Sequence, residues 1–353
     1  MPGELSERPV QDYTAINRKK TMMEMRGFGR TGLQVSILGF GCGAVGGLMV
    51  RGDPADQDRA IGRALDAGVN YFDTAVQYGN GESEKNLGRI LKNLKPRDIL
   101  VGTKVRVPPG TREIASVIEK SIEGSLQRLR REQADILHFH NPITLAGGGM
   151  TLSVQQVLDE VVPAFEALRR QGKVRFLGIT ATGDTPALQQ VIDARVFDSA
   201  QITYNMLNPS AAIALAPDYP AQDYGKLFSH AKGAGVGVIG IRVLAGGALS
   251  GSADRHPIAS PAPEPIGSSR NYEGDLLRAQ RLAPLVEEGF ATNLAEAATR
   301  FCITHPAMGS ILVGVATPEQ FEHALAAVMK GPLPDGALQR LAALQRSFSG
   351  EAR

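Results

Sequence analysis

Short β-rich apolar runs alternate along the chain with longer stretches whose apolar residues recur every three or four positions. The runs are Ile37–Phe40, Val69–Phe72, Ile99–Thr103, Asp135–His140, Val174–Thr180, Ser199–Tyr204, Val236–Ile241 and Ser310–Gly314. Between them, Ile114, Val117, Ile118, Ile122, Leu126 and Leu129 mark one amphipathic stripe, and Val154, Val157, Leu158, Val161, Val162, Phe165 and Leu168 mark another. That spacing places one apolar face on each predicted helix. Glycines that can end a helix stand just before strands, at Gly68, Gly172 and Gly235. Repeated strand–helix units predict an α/β fold, a (β/α)8 TIM barrel, with an open doubly wound sheet as the alternative. Residues 251–271, rich in Pro, Ser and Gly, read as a long loop after strand seven, and Asp335–Phe348 as an outer C-terminal helix. Residues 1–24 show no periodicity and read as a flexible extension, which leaves 25–353 as one barrel domain.

Composition narrows the function classes. Lys plus Arg number 38 and Asp plus Glu 36, a net charge of +2. So balanced a chain has no electrostatic footprint for nucleic acid or an anionic membrane surface. No apolar run approaches the length of a membrane span. Cys42 and Cys302 are the two cysteines, too few and too far apart for a disulfide framework or a zinc site. Reduced thiols and a cytoplasmic location are the expectation. Glycine, at 40 residues, has no strict period and must be read locally.

One glycine cluster is a decoy. Gly41, Cys42, Gly43 and Gly46 match G-x-G-x-x-G after a strand, but Gly47 to Gly52 reads as further loop and the next helix begins near Pro54. A dinucleotide fingerprint needs the helix to open inside the motif. Gly41, Cys42 and Gly43 are therefore expected in a barrel-top loop that lies against a ligand.

Barrel active sites sit at the C-terminal ends of strands. Asp73 ends strand two, Tyr78 follows in the next loop, Lys104 ends strand three and His140 ends strand four. An ammonium near a phenol favours the phenolate, a carboxylate keeps the ammonium charged, and an imidazole can donate to a carbonyl oxygen. Together these types make a carbonyl-reducing site in which Tyr78 protonates the developing alkoxide. No side chain supplies hydride, so the chemistry requires a nicotinamide or flavin. A second reading is a metal hydrolase built on His138 and His140, which share strand parity; it lacks further ligands at other strand ends, so no metal is expected.

The sequence resembles the aldo-keto reductases from about Phe28 to Leu333. The anchors are Gly29–Ser36, then Phe72-Asp73-Thr74-Ala75 with Tyr78-Gly79, then Thr103-Lys104. Asp135-Ile136-Leu137 leading to His140, Gly172–Thr180, Gln201 and Tyr204-Asn205 follow. The resemblance implies an Asp–Tyr–Lys–His catalytic set at Asp73, Tyr78, Lys104 and His140, and a hairpin near Gly29–Ser36 closing the barrel bottom. It implies NADP or NAD extended across the barrel top, with Thr180 and Gln201 holding the carboxamide. Ala181 stands where the family usually has Asn. Ile241 stands where it often stacks an aromatic ring, and Arg242, Leu244, Ala245 and Gly246 match the loop over the pyrophosphate. The stretch after strand eight, Gly314 to Gln320 with Thr317, carries no Lys or Arg for a 2′-phosphate, so use of NAD or of both cofactors is expected. The expected partner is a small carbonyl or alcohol substrate, in a pocket formed by Leu145–Met150 and 251–271. That pocket should be poor in aromatic rings, since Trp is absent. The alternative is a non-catalytic barrel that binds nicotinamide as a redox sensor.

Overall fold

Eight parallel strands hydrogen-bond in a ring in this computed structural model, which describes residues 23–351. They are β1 (Leu38–Gly41), β2 (Tyr71–Asp73), β3 (Leu100–Val105), β4 (Ala134–Phe139), β5 (Val174–Ala181), β6 (Ser199–Thr203), β7 (Gly237–Ile241) and β8 (Met308–Gly314). The ring closes between β8 and β1, where Gly314 pairs with Gly41. The fold is thus the (β/α)8 barrel that the alternating pattern predicts. The expected N-terminal extension, residues 1–24, lies outside the described residues except for Met23 and Glu24.

Helices on the outside bury the stripes read from sequence. Helix α1 (Pro54–Asp66) starts with Asp53 accepting from the Ala55 amide and Pro54 at its first position, a strong start signal. Helix α2 (Glu82–Leu94) follows β2, and α3 (Ile114–Leu129) turns Ile114, Ile118, Ile122, Leu126 and Leu129 inward. The stripe from Val154 to Leu168 is one helical run with an irregularity: a wider π turn at Val157–Val161 precedes the regular turns of Val162–Arg170. Pro163 has no amide hydrogen to complete the regular ladder there. Residues read as loop between Gly47 and Gly52 instead contain a single helical turn, Leu48–Arg51. Buried Leu48 and Met49 anchor it to the core, an attachment that a glycine-rich stretch conceals in sequence.

The barrel interior is layered. At the bottom, Phe28, Val35, Leu100, Ile136 and Ile239 form an apolar plug. Phe28 comes from the hairpin of Met25–Gly27 and Gln34–Ser36, and Arg30 donates from its amide to the Gly235 carbonyl at 2.7 Å. Above the plug the inward positions turn polar: Tyr71, Asp73, Lys104, His138, Ser199 and Gln201 are all buried. Period-two alternation makes this possible, because residues two apart on a strand share the same face. Residues 251–271 contain no helix or strand and fold over the mouth, followed by a helix at Tyr272–Gln280. The terminal helix, Asp335–Arg346, lies outside the barrel wall.

Candidate active site

Asp73 is the hub. Register aligns Gly41, Asp73 and Gly102 across β1, β2 and β3, which sets the carboxylate at the top of the polar layer. Its Oδ1 accepts from the Lys104 ammonium. Its Oδ2 accepts from the Gln201 amide at 2.6 Å and from the Tyr71 hydroxyl at 3.0 Å. Lys104 also donates to the Thr74 carbonyl at 2.8 Å. A buried ion pair persists only when its remaining donors and acceptors are satisfied, and this one is. Gly102 makes room for it, since a Cβ there would stand 2.6 Å from the Tyr71 hydroxyl oxygen and 3.3 Å from Asp73 Oδ2.

Tyr78 sits in the turn after β2, with its amide on the Ala75 carbonyl at 3.1 Å and its carbonyl accepting from the Ser83 amide at 3.2 Å. This turn lays the ring over Lys104, whose Nζ is 4.9 Å from the ring centroid. Burial pushes the phenol pKa up and the ammonium pulls it down; the net position lies above the ordinary tyrosine value. For Lys104, burial alone would lower the pKa, but Asp73 and Tyr78 more than restore it, so the ammonium stays charged. His140 faces Tyr78 edge-on, with ring centroids 6.3 Å apart. Burial, then the charges of Lys104 and Arg106, push its pKa down to about 2, so the imidazole is neutral at all working pH values. Its Nδ1 lies 3.3 Å from Gln77 Oε1. His138, one layer lower, is fully buried with Nε2 3.1 Å from the Ser199 hydroxyl, and burial holds it well below the ordinary histidine range. Among the described residues no three His, Cys, Asp or Glu side chains gather to hold a metal.

A cavity of about 1160 Å³ opens above this set, larger than one small substrate needs. It runs from Tyr78 and His140 across β7 and β8 to Glu296 and Lys330. Gly41, Gly43, Asp73, Thr180, Gln201, Ile241, Arg242, Leu244, Gly246, Gly314 and Gln320 all line it. Lys104 lies buried beneath the lining. Cys42 does not line the cavity: its thiol is buried, toward the Phe40 carbonyl. Thr317 is also off the cavity wall; its side chain caps the helix Pro318–Met329 by accepting from the Gln320 amide. The glycine cluster read as a decoy packs Gly46 against Val315 just past the end of β8, where a Cβ would stand 2.4 Å from the Val315 amide nitrogen. The single helical turn that follows the motif, Leu48–Arg51, already commits its first amide, on Leu48, to the Val315 carbonyl at 3.1 Å, unlike a helix that opens toward a pyrophosphate.

The lining fits a nicotinamide dinucleotide. The Thr180 hydroxyl is buried against the cavity without a hydrogen-bond partner. An orphaned polar atom of this kind calls for a ligand group to satisfy it. Arg242 stands in the left-handed region with φ 58°, donating from Nη2 to the Glu264 carbonyl at 3.2 Å. Strained backbone at a cavity mouth is held in place by surrounding contacts.

Several residues of the site fall outside the sequence reading. Tyr71 shares strand parity with Asp73 two positions on, a relation that predicts contact once the strand is placed. Gln77 and Arg106 lie in loops whose direction no periodicity reports. Asp254, Arg255 and His256 come from the long loop after β7, and Thr182 from the end of β5.

Comparisons with known proteins agree with this fold. The model of the Aldo/keto reductase family matches residues 37–346. L-galactose dehydrogenase of Arabidopsis thaliana is 33% identical over 319 residues, covering 87% of this chain and 89% of that protein. Pyridoxal 4-dehydrogenase of Microbacterium luteolum is 27% identical over 344 residues, covering 84% and 90%. Among solved structures, the holo form of the aldo-keto reductase AKR11C1 from Bacillus halodurans superposes with a TM-score of 0.68 at 24% identity, over 91% of this chain and 96% of that one. The match spans all eight barrel strands and every element that supplies the site, and on it the chain belongs to the aldo/keto reductase family of oxidoreductases.

Proposed function

We propose that the protein interconverts an aldehyde or ketone and the corresponding alcohol, using NAD or NADP, with Tyr78 as the acid and base. The observation that carries this reading is the convergence of Asp73, Lys104, Tyr78 and His140 on the floor of one cavity. Thr180, Gln201, Ile241, Arg242, Leu244 and Gly246, with Gly41, Gly43, Gly314 and Gln320, would hold the cofactor. When bound, the nicotinamide supplies or accepts the hydride. The chain's own part is proton handling and positioning. A protonated Tyr78 donates to the substrate oxygen as negative charge develops there, and Lys104 stabilises the phenolate left behind. Asp73 fixes the ammonium through its hydrogen bonds, so the cation needs no rearrangement during the step. A neutral His140 orients the substrate oxygen without competing for the proton.

A purely sensory barrel would not need this completed network, and the buried Asp73–Lys104 pair is costly unless used. The test is a panel of aldehydes, ketones and alcohols, with L-galactose and pyridoxal included because the relatives are named for them. Each is assayed in both directions with NADH or NADPH and their oxidised forms. Turnover of at least one carbonyl–alcohol pair is expected. Tight cofactor binding with no turnover anywhere on the panel would favour the sensor instead.

A further inference from the structure

The substrate side of the cavity carries a cation that the catalytic set does not use. Arg106 follows Lys104 by two positions, just past the end of β3, and lines the cavity beside Gln77 and His140. It is half-buried. Its Nε is buried without a hydrogen-bond partner, and among the described residues its guanidinium joins no ion pair. Other cations on the lining are engaged. Lys330 pairs with Glu296 at 2.7 Å, Arg255 donates to the Gly246 and Ser260 carbonyls, and Arg242 donates to the Glu264 carbonyl. Arg106 is close enough to His140 to be one of the charges that hold its imidazole neutral.

A guanidinium keeps its charge under any working condition, so a partly buried one without a partner is costly until an anion reaches it. Its planar fork matches a carboxylate in a bidentate arrangement. Position adds direction: Arg106 lies on the β3 side, with Gln77 and His140, whereas Arg242 and Arg255 lie on the β7 side. We propose that Arg106 is a specificity residue that binds a carboxylate carried by the substrate, a short distance from the carbonyl that His140 and Tyr78 engage. The proposal rests on the reductase reading above and names the substrate class within it: oxo acids rather than neutral carbonyls.

The test uses succinic semialdehyde and its neutral primary amide, which differ in charge and little in shape. The native enzyme should favour the carboxylate by at least about tenfold in kcat/KM, the scale of a charge-assisted pair. Arg106→Gln should remove that preference, and Arg106→Lys should keep part of it, while the affinity for NADH stays unchanged in both. Equal use of the two aldehydes by native enzyme, or an equal loss on both in Arg106→Gln, would overturn the proposal, since a merely structural arginine affects both alike. Equilibrium binding of the same pair to cofactor-loaded Tyr78→Phe protein separates this from the reductase reading. Carboxylate-selective binding that a further Arg106→Gln change abolishes keeps the anion site even if no aldehyde is turned over, which counts against the reductase reading alone. Equal or undetectable binding of the two overturns the anion site.

Discussion

Tyr78 is pulled in two directions, and the balance has a measurable sign. Burial raises its pKa and Lys104 lowers it, with burial ahead. The phenol is therefore protonated through the neutral range, ready to act as an acid. In the reverse direction the phenolate is the active form, and its fraction grows tenfold per pH unit below the pKa. We expect kcat/KM for alcohol oxidation to climb with unit slope between about pH 7 and 9, while carbonyl reduction stays flat over that interval. Lys104→Met should lower oxidation at fixed pH by more than about tenfold, because the pKa rises further once the ammonium is gone. A pH–rate profile checks this, and an oxidation plateau below about pH 8 would contradict it. The four residues proposed as catalytic are legible in sequence because each stands at or just after a strand end. Tyr71, Gln77 and Arg106 are not, because their roles depend on which way a side chain turns inside a closed ring.

At the scale of elements, the strands are read within a residue or two, and the reason is physical. Most of their residues are buried on both faces, so they stand out as apolar runs between helical stripes. The loops resist reading because backbone hydrogen bonds and single anchors shape them. Leu48–Arg51 becomes a helical turn through two buried side chains, and residues 205–226 fold around Asn208, whose side-chain amide donates to the Gln222 and Gly267 carbonyls at 2.9 and 2.6 Å. The hairpin is legible by family resemblance, yet its energetic role shows in the structure. Phe28 is 1% exposed and fills the barrel bottom, where a Cβ on Gly237 would stand 2.7 Å from its ring. Phe28→Ala should cost about 3–5 kcal/mol of stability. Because the plug lies at the end opposite the cavity, KM for cofactor should change little. Denaturant unfolding alongside kinetics tests both halves; a fully stable variant would mean the plug carries no weight.

Across the whole molecule, one cavity joins the proposed proton-handling floor to a far end whose lining has no unpaired Lys or Arg. That end holds Gln320, whose Oε1 accepts from the Ala316 amide at 2.7 Å, and Lys330, already committed to Glu296. Glu296 further accepts from Arg300 at 3.0 Å. A 2′-phosphate brings about two negative charges and would meet no unpaired Lys or Arg among the lining residues there. We therefore expect kcat/KM to favour NADH over NADPH or to treat them alike, as steady-state kinetics with both would reveal; a preference for NADPH above about 100-fold would contradict it. No helix among the described residues is long and apolar enough to cross a membrane.

In the proposed mechanism Tyr78 moves the proton while the rest of the site only binds and positions. Single-turnover hydride transfer from bound reduced cofactor, compared between the native enzyme and Tyr78→Phe on the best substrate of the panel, tests it most directly. We expect a loss of at least about 100-fold in that step, the lower range for general acid catalysis, with the dissociation constant of the cofactor within about twofold of native. Hydride transfer in Tyr78→Phe at a rate near native would contradict it.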